Sequence, residues 1–313
     1  MRIVSLLPSS TEILFALGLG DSVVGVTHEC DFPADAATKR VVVSSRLPEN
    51  LGASEIDRAV RDFNSRGESI YHVDAEALRE LAPGLIITQD LCHVCAASPG
   101  DLKAALQTLS RQPRVLSLNP HSLDDVWDDI RAVGAETDRM FEADMLVKQR
   151  RSQVERIARE SQRLAAAGAR PRVACLEWLD PFYNAGHWVP EMVAAAGGED
   201  VLSRAGQPSS QVAWEEIRAA APDVIFIMPC GYNLEKAEAE FAQLKLPAGW
   251  NDLPAVRNGN IFITDANSYF SRPGPRLSEG VAILASALRP EITVDIPENS
   301  IERFERSRTA APR

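Results

Sequence analysis

Short apolar runs alternate with stretches of helical periodicity along most of this chain. Strands are predicted near residues 2–7, 23–27, 40–44, 85–88, 114–118, 172–176, 223–228 and 261–264. Helices are predicted near residues 189–196, 214–220, 234–244 and 275–288. Strands that alternate with helices favour parallel sheets. The segment at 47–71 is irregular and polar, and the pattern does not assign its structure.

Two segments of the chain nearly repeat each other. Residues 81–88 and 220–227 both carry an Ala-Pro turn followed by an apolar run. Each follows a helix-like stretch and leads into polar and thiol residues. A run of this kind predicts a parallel strand buried on both faces. The repeat therefore indicates two similar α/β lobes, and the alternative is chance similarity between two helix–Pro–strand connections.

A long amphipathic helix is predicted between the two repeats. Residues 138–168 contain no Pro and no internal Gly, and apolar residues recur at three-, four- and seven-residue steps. About 30 helical residues make a rod of roughly 45 Å. We therefore expect an α/β fold of two Rossmann-like lobes with parallel sheets, joined by one long linking helix, with a ligand cleft between the lobes. The expected bounds are 1–136 for the N-terminal lobe, 137–168 for the linking helix, 169–292 for the C-terminal lobe and 293–313 for a C-terminal tail.

Composition and charge exclude several classes of partner. The 313 residues are 45% hydrophobic and 25% charged, which is typical of a globular protein with room for two cores. A net charge of −11 disfavours nucleic acid and anionic membrane surfaces. No stretch approaches the ~20 apolar residues that span a bilayer, so we expect no membrane insertion. No signal-type segment precedes the first strand and the five cysteines are an odd number, so we expect a cytoplasmic location, or a periplasmic or surface-attached one if a preceding segment has been removed.

Several motifs in a fixed order connect this chain with a known family. Residues 3–13 read Ile-Val-Ser-Leu-Leu-Pro-Ser-Ser-Thr-Glu-Ile, and Val-Gly-Val-Thr and Asp-Phe-Pro follow at 24–27 and 31–33. The strand at 221–227 and the turn at 256–262 continue the series. Together they resemble the class III periplasmic-binding-protein family, the cobalamin and iron-siderophore class of ABC-importer components, and most of all its signal-less cobalamin-binding relatives. The resemblance runs from residue 2 to about residue 290 and implies one small-molecule ligand and an ABC-transporter membrane component as partner.

The resemblance also implies which residues contact the ligand. Family members that bind cobalamin stack aromatic rings on the flat corrin, which offers a large apolar face. Tyr183 and Tyr269 keep an aromatic ring here, whereas Glu29 stands at a position that is aromatic in those members. We expect a corrinoid such as cobalamin, or another metal chelate, as the ligand. The predicted ligand-binding residues are Glu29, Gln89, Trp178, Tyr183, Trp188, Tyr269 and Arg272.

Two of these residues have structural alternatives. Instead of contacting the ligand, Trp188 could pack within the lobe. The neighbouring His187 has a helix cap as its alternative role. Arg272 suits a ligand carboxylate or phosphate, and the alternative is a salt bridge to Asp265 across the turn.

Thiol and imidazole side chains form a second candidate site. Cys92 and Cys95 form a CxxC motif that encloses His93, and Cys230 follows another predicted strand. These residues are predicted metal ligands, because thiolate and imidazole suit a transition metal such as zinc and CxxC spacing lets two sulfurs reach one ion. The alternatives are cysteines that fill space under a loop and a thioredoxin-like redox pair. Cys175 lies inside a predicted strand and is assigned to the core.

Two hypotheses about function follow. The first is a binding protein that holds a corrinoid or another metal chelate in the cleft. The second is a cytosolic enzyme or metal-binding protein that uses the Cys/His cluster on a small organic substrate. The sequence has no phosphate-binding loop, no nucleophile elbow and no His-Glu-x-x-His motif, so nothing in it demands catalysis.

Overall fold

The chain divides into two compact units. The structure, a computed structural model, describes residues 1–48, 51–89, 99–107, 109–165 and 170–305. The first unit contains Met1–Ser152 with Arg272–Pro275, and the second contains Gln153–Ser271 with Arg276–Arg313. Each unit has its own sheet and its own helices. The two-lobed α/β class predicted from the sequence is therefore confirmed.

The first unit is built from short strands that alternate with helices. Its strands are β1 (Ile3–Ser5), β2 (Val23–Thr27), β3 (Arg40–Ser45), β4 (Tyr71–Val73), β5 (Leu85–Thr88) and β6 (Arg114–Ser117). Its helices are α1 (Pro8–Ala16), α2 (Ala53–Ser65), α3 (Ala75–Leu81), α4 (Pro99–Gln107), α5 (Leu123–Glu136) and the first part of α6 (Met140–Ala165). Helix α1 begins at a proline, whose fixed φ suits the first helical turn. Helix α5 begins with a capping box formed by Ser122 and Asp125.

The sheet of the first unit has the strand order β4-β3-β2-β1-β5-β6. Strands β1, β2, β3, β5 and β6 pair in parallel, and β4 pairs antiparallel with β3 at one edge. The central strand β1 places Ile3 opposite Leu85 of β5. Because parallel strands end at the same edge of a sheet, the residues that follow β1, β2 and β5 lie along one carboxyl edge.

Apolar side chains of the sheet and its helices form the core of the first unit. Val4 and Ile86 from the sheet pack with Leu78 from α3, and each is at most 1% exposed. Complete burial of such side chains stabilises a fold by about 1.5–3 kcal/mol each.

One helix carries the chain from the first unit into the second. Helix α6 has 26 residues and contains the boundary between Ser152 and Gln153. Its buried stripe includes Ala143, Val147 and Ile157. The predicted long helix between the lobes is therefore present, and the last residues of the predicted range, 166–168, lie outside the described residues.

The second unit repeats the alternation of strands and helices. Its strands are β7 (Arg172–Leu179), β8 (Phe182–Asn184), β9 (Glu199–Asp200), β10 (Val224–Ile227), β11 (Ile261–Thr264) and β12 (Ile301–Arg303). Its further helices are α7 (Val189–Ala195), α8 (Trp214–Ala220), α9 (Leu234–Gln243), α10 (Pro254–Arg257), α11 (Ala266–Tyr269) and α12 (Leu277–Leu288). The strand order is β12-β11-β10-β7-β8, and β9 pairs with β7. Strands β7, β10 and β11 are parallel, whereas the edge strands β8 and β12 are antiparallel to their neighbours.

The repeat in the sequence corresponds to a repeat in the fold. Helices α3 and α8 both end at an alanine in the left-handed region, with φ of 41° at Ala82 and 43° at Ala221. A proline follows each alanine and prevents the helix from continuing. The strands that come next, β5 and β10, are buried along their whole length and have a parallel neighbour on both sides. The repeated segments are thus equivalent central strands of the two sheets, as predicted.

One segment without a predicted structure contains a helix, and one segment differs from its predicted structure. The stretch at 47–71 contains helix α2, whose apolar face is limited to a few side chains such as Ile56, Val60 and Phe63. The stretch at 293–313, expected to be a tail, contains strand β12, which pairs with β11. Arg303 also stabilises the position of β12, because its Nε donates to the carbonyl of Gly259 at 2.6 Å.

Candidate functional site

The carboxyl edge of the first sheet presents a turn with an exposed acidic side chain. The turn follows β2 and contains His28 and Glu29, both exposed. The Glu29 N–H donates to the hydroxyl of Thr27 at 3.2 Å, and the carbonyl of Glu29 accepts from Nη2 of Arg272 at 2.9 Å. Gln89 follows β5 at the same edge and is 9% exposed. Of the three predicted contacts in this unit, Glu29, Gln89 and Arg272, Glu29 therefore has the most accessible side chain.

Arg272 is buried and ion-paired within the first unit. Its guanidinium bonds both carboxylate oxygens of Asp31, and Nη1 also donates to Oε1 of Glu12 at 3.2 Å. Arg272 is 6% exposed and Glu12 is 3% exposed. The sequence offered Asp265 as the alternative partner, but the Asp265 carboxylate caps helix α11 by accepting from the Ser268 N–H at 2.9 Å. The sequence thus identified an ion-pairing arginine and missed both carboxylates.

Cys30 lies in a chain of buried hydroxyl groups beside this ion pair. Its Sγ is 3.2 Å from Oγ1 of Thr11 and 3.3 Å from Oγ1 of Thr27. Thr11 in turn donates to Oγ of Ser5 at 2.8 Å, and Ser5 bonds Ser10. Burial raises the pKa of the Cys30 thiol. The thiol is therefore a neutral hydrogen-bonding group of the core near neutral pH.

In the second unit, Trp178 and Tyr183 are cross-strand partners of β7 and β8. Both side chains are half-buried. Trp178 packs edge-on against Tyr232, with ring centroids 5.7 Å apart. Neither Nε1 of Trp178 nor the hydroxyl of Tyr232 has a hydrogen-bond partner among the described residues, although both atoms are buried. Burial raises the pKa of Tyr232 to about 12.

Trp188 belongs to the packed interior of the second unit. Its ring is 6% exposed, and its Nε1 donates to the carbonyl of Phe270 at 2.8 Å. His187 stacks on this ring at 5.5 Å and has a φ of 53°. These positions favour the packing alternative for Trp188, and its contact with a ligand stays a prediction.

Tyr269 ends helix α11 and remains partly exposed. The guanidinium of Arg276 lies 5.5 Å from the centroid of its ring. Desolvation by burial raises the pKa of Tyr269, and Arg276 opposes this shift. Helix α11 also contributes Asn267 to a depression of about 380 Å³. The other residues that line it are Gly231, Asn233, Glu235, Lys236 and Ala239.

The predicted metal site falls mostly outside the described residues. Cys92, His93 and Cys95 are in the range 90–98, which the structure does not describe. Cys230 is exposed, and its N–H donates to the carbonyl of Glu177 at 3.0 Å. Cys175 is fully buried in β7, as predicted. Among the described residues no three His, Cys, Asp or Glu side chains are grouped as metal ligands.

Comparison with known proteins identifies the family. The model of the family described as periplasmic binding protein matches residues 3–268. This chain therefore belongs to the periplasmic binding protein family. The resemblance stated from the sequence motifs is confirmed.

Named relatives match nearly the whole chain. An uncharacterized ABC transporter substrate-binding lipoprotein, YvrC of Bacillus subtilis, is 26% identical over 298 residues, which cover 93% of this chain and 80% of that protein. A vitamin B12-binding protein of Vibrio cholerae is 24% identical over 299 residues, which cover 92% of this chain and 89% of that protein. A periplasmic heme-binding protein from Pseudomonas aeruginosa superimposes with a TM-score of 0.72 at 20% identity, over 95% of both chains. The last likeness shows the shared fold.

These relatives bear on two further expectations. One is named a lipoprotein and another periplasmic, so they give no support to a cytoplasmic location. Their names give no support to a protein-bound metal either. No helix within the described ranges combines the length and the apolar character that a bilayer crossing requires.

Proposed function

We propose that this chain is the substrate-binding component of an ABC importer and that its ligand is a corrinoid such as cobalamin or another metal chelate such as heme. The family match over residues 3–268 carries the proposal. The names of relatives that bind vitamin B12 or heme support the ligand class. The lipoprotein and periplasmic relatives support a place of action outside the cytoplasm.

The proposed contacts are side chains at the carboxyl edges of the two sheets, of which Gln89 is 9% exposed and the others are half-buried or exposed. Glu29 and Gln89 supply polar groups in the first unit. Trp178, Tyr183 and Tyr269 supply aromatic surface in the second, which suits the flat face of a macrocycle. Because Trp188 and Arg272 are buried and bonded within their own units, we assign both of them supporting roles.

Spectroscopic titration tests the ligand class. The purified protein is titrated with cyanocobalamin and, separately, with hemin, and the shift of each ligand's visible absorbance is followed. We expect saturable one-to-one binding of one of them and an increase in melting temperature. Tyr183→Ala should weaken that binding, whereas Phe32→Ala, an exposed aromatic of the first unit that is not proposed as a contact, serves as the matched control. Absence of saturable binding for both ligands would contradict the proposal.

A metal site of Cys92, His93, Cys95 and Cys230 is a second proposal. Its support is the exposure of Cys230 directly after the central strand β10, where a thiolate is accessible to an ion. Zinc suits such ligands, and its binding would displace thiol protons. The alternative function, an enzyme that acts on a small organic substrate, also requires such a cluster. Native mass spectrometry with elemental analysis tests it: zinc that is lost in Cys230→Ser but kept in Cys175→Ser supports the site, and a metal-free parent protein contradicts it.

A further inference from the structure

The turn after β2 is held from one side by Cys30. The thiol is 4% exposed and lies within hydrogen-bonding distance of hydroxyls on α1 and β2, Thr11 and Thr27. The Cys30 N–H also donates to the carbonyl of Thr27 at 3.1 Å, and the Glu29 N–H donates to the Thr27 hydroxyl. The main chain of the turn is therefore bonded to the strand that precedes it.

Arg272 holds the same turn from the other side. Its Nη2 donates to the carbonyl of Glu29 at 2.9 Å, and its two Nη atoms reach both oxygens of Asp31. Glu12 of α1 accepts from Nη1 and is itself buried. One guanidinium thus connects the two ends of the 29–31 turn to the first helix of the unit. The Arg272–Glu12 pair is shielded from water, where charge-assisted bonds are stronger than neutral ones, whereas the Asp31 side chain is 58% exposed.

We propose that Arg272 and Cys30 are positioning residues that fix the turn after β2 and thereby present the exposed His28 and Glu29 side chains to the ligand. This inference rests on the proposed function. Arg272 acts through the main chain of Glu29 and the side chain of Asp31 and makes no contact with the ligand. A turn that is ordered before binding loses less conformational entropy on binding, so the bonds made by Arg272 raise ligand affinity.

Amide hydrogen exchange of the free protein tests the positioning directly. Arg272→Lys keeps the positive charge but loses the planar fork that bonds two oxygens of Asp31 at once. We expect the amides of residues 28–31 to exchange about tenfold faster in this variant, since local opening becomes easier. Asp31→Asn, which removes the charge of the exposed partner of Arg272, should also speed exchange at residues 28–31. Arg289→Lys is the control: Arg289 also donates to a carbonyl, that of Gly197, but lies in the second unit, so exchange at 28–31 should not change.

Ligand binding separates positioning from direct contact. The ligand used is whichever of cyanocobalamin or hemin binds the parent protein. Introduced into the parent protein, Arg272→Lys should lower the affinity by about three- to tenfold. Introduced into a variant in which His28 and Glu29 are both alanine, it should have no further effect, because contacts that act as a unit are not additive. An equal loss in both backgrounds would show that Arg272 touches the ligand and would overturn the inference.

The two proposals can fail separately. If neither ligand binds the parent protein, the proposed function fails, and exchange alone then decides whether Arg272 fixes the turn. Unchanged exchange at 28–31 in both Arg272→Lys and Asp31→Asn overturns the inference whatever the ligand. Circular dichroism of each variant excludes general unfolding as the cause of faster exchange.

Discussion

Trp188 donates its indole N–H to the main-chain carbonyl of Phe270 at 2.8 Å, and the two residues are 82 positions apart in the sequence. The bond connects the start of helix α7 with the end of helix α11 inside the second unit. Both side chains are buried, at 6% and 2% exposure. We therefore expect Trp188 to act on the stability of the unit, and its contact with a ligand stays a prediction.

Trp188→Phe should lower the free energy of unfolding by about 2–4 kcal/mol, because it leaves a cavity and removes the donor from a buried carbonyl. Urea denaturation followed by circular dichroism measures the change. Trp178→Phe is the control: since Nε1 of Trp178 has no acceptor among the described residues, the loss should be smaller. Unchanged stability together with lost ligand affinity would instead assign Trp188 to the ligand.

Tyr232→Phe should stabilise the protein. The Tyr232 side chain is 2% exposed, and its hydroxyl has no hydrogen-bond partner among the described residues. Removing an unsatisfied buried hydroxyl without changing the ring should raise the free energy of unfolding by about 1 kcal/mol. Urea denaturation again provides the measurement. Tyr269→Phe is the matched control and should not stabilise, because Arg276 bonds the Tyr269 hydroxyl; a destabilised Tyr232→Phe would show that the hydroxyl is satisfied in solution.

The central strands were predictable because each carries its own local signal. Strands β2, β5 and β11 have their predicted bounds, since a run of apolar and β-branched residues between turns is read from the sequence alone. The edge strands β4, β8 and β12 were missed. Each has three residues, which is too short for an alternating pattern to be recognised. Helix α2 was not placed, although Ile56, Val60 and Phe63 recur at the four- and three-residue steps of a helix.

The candidate site was predictable only in part. Glu29 was predicted from the family resemblance, and the structure places it in the turn that follows β2. Its contact with a ligand stays a prediction. The partners of Arg272 could not be found in this way, because Asp31 is 241 positions away and Glu12 is 260 positions away. Ion pairs across such separations leave no periodic pattern in one sequence. The burial of Trp188 depends on the packing of α7 and likewise has no local signature.

The accessibility of the thiols gives a prediction about chemical modification. Iodoacetamide should label Cys230 in the folded protein much faster than Cys30 or Cys175, because Cys230 is exposed and the other two are buried. Burial also raises the pKa of both buried thiols, so less of the reactive thiolate is present. Peptide mapping by mass spectrometry follows each cysteine separately. Cys230→Ser identifies the labelled peptide, and labelling of Cys175 as fast as Cys230 in folded protein would refute the assigned burial.

Asp129 on helix α5 should make stability depend on pH. Desolvation by burial, with repulsion from Asp125 and Asp128, raises the pKa of Asp129 to about 7. An unfolded aspartate titrates near its ordinary pKa of about 3.9, so between these values the folded state holds a proton that the unfolded state has released. The contribution of Asp129 is therefore complete below about pH 4 and is lost as the pH rises through about 7.

Asp129→Asn removes this loss, because asparagine stays neutral at every pH. The variant should match the parent protein at pH 4 and exceed its free energy of unfolding at pH 8, by on the order of 1 kcal/mol once solvent screening of a partly exposed group is allowed for. Urea denaturation at both pH values measures the difference. Asp124→Asn is the control on the same helix: Asp124 is exposed and pairs with Arg151, so its replacement should stabilise at neither pH. A gain that is equal at pH 4 and pH 8 would show that the charge of Asp129 is not its cause.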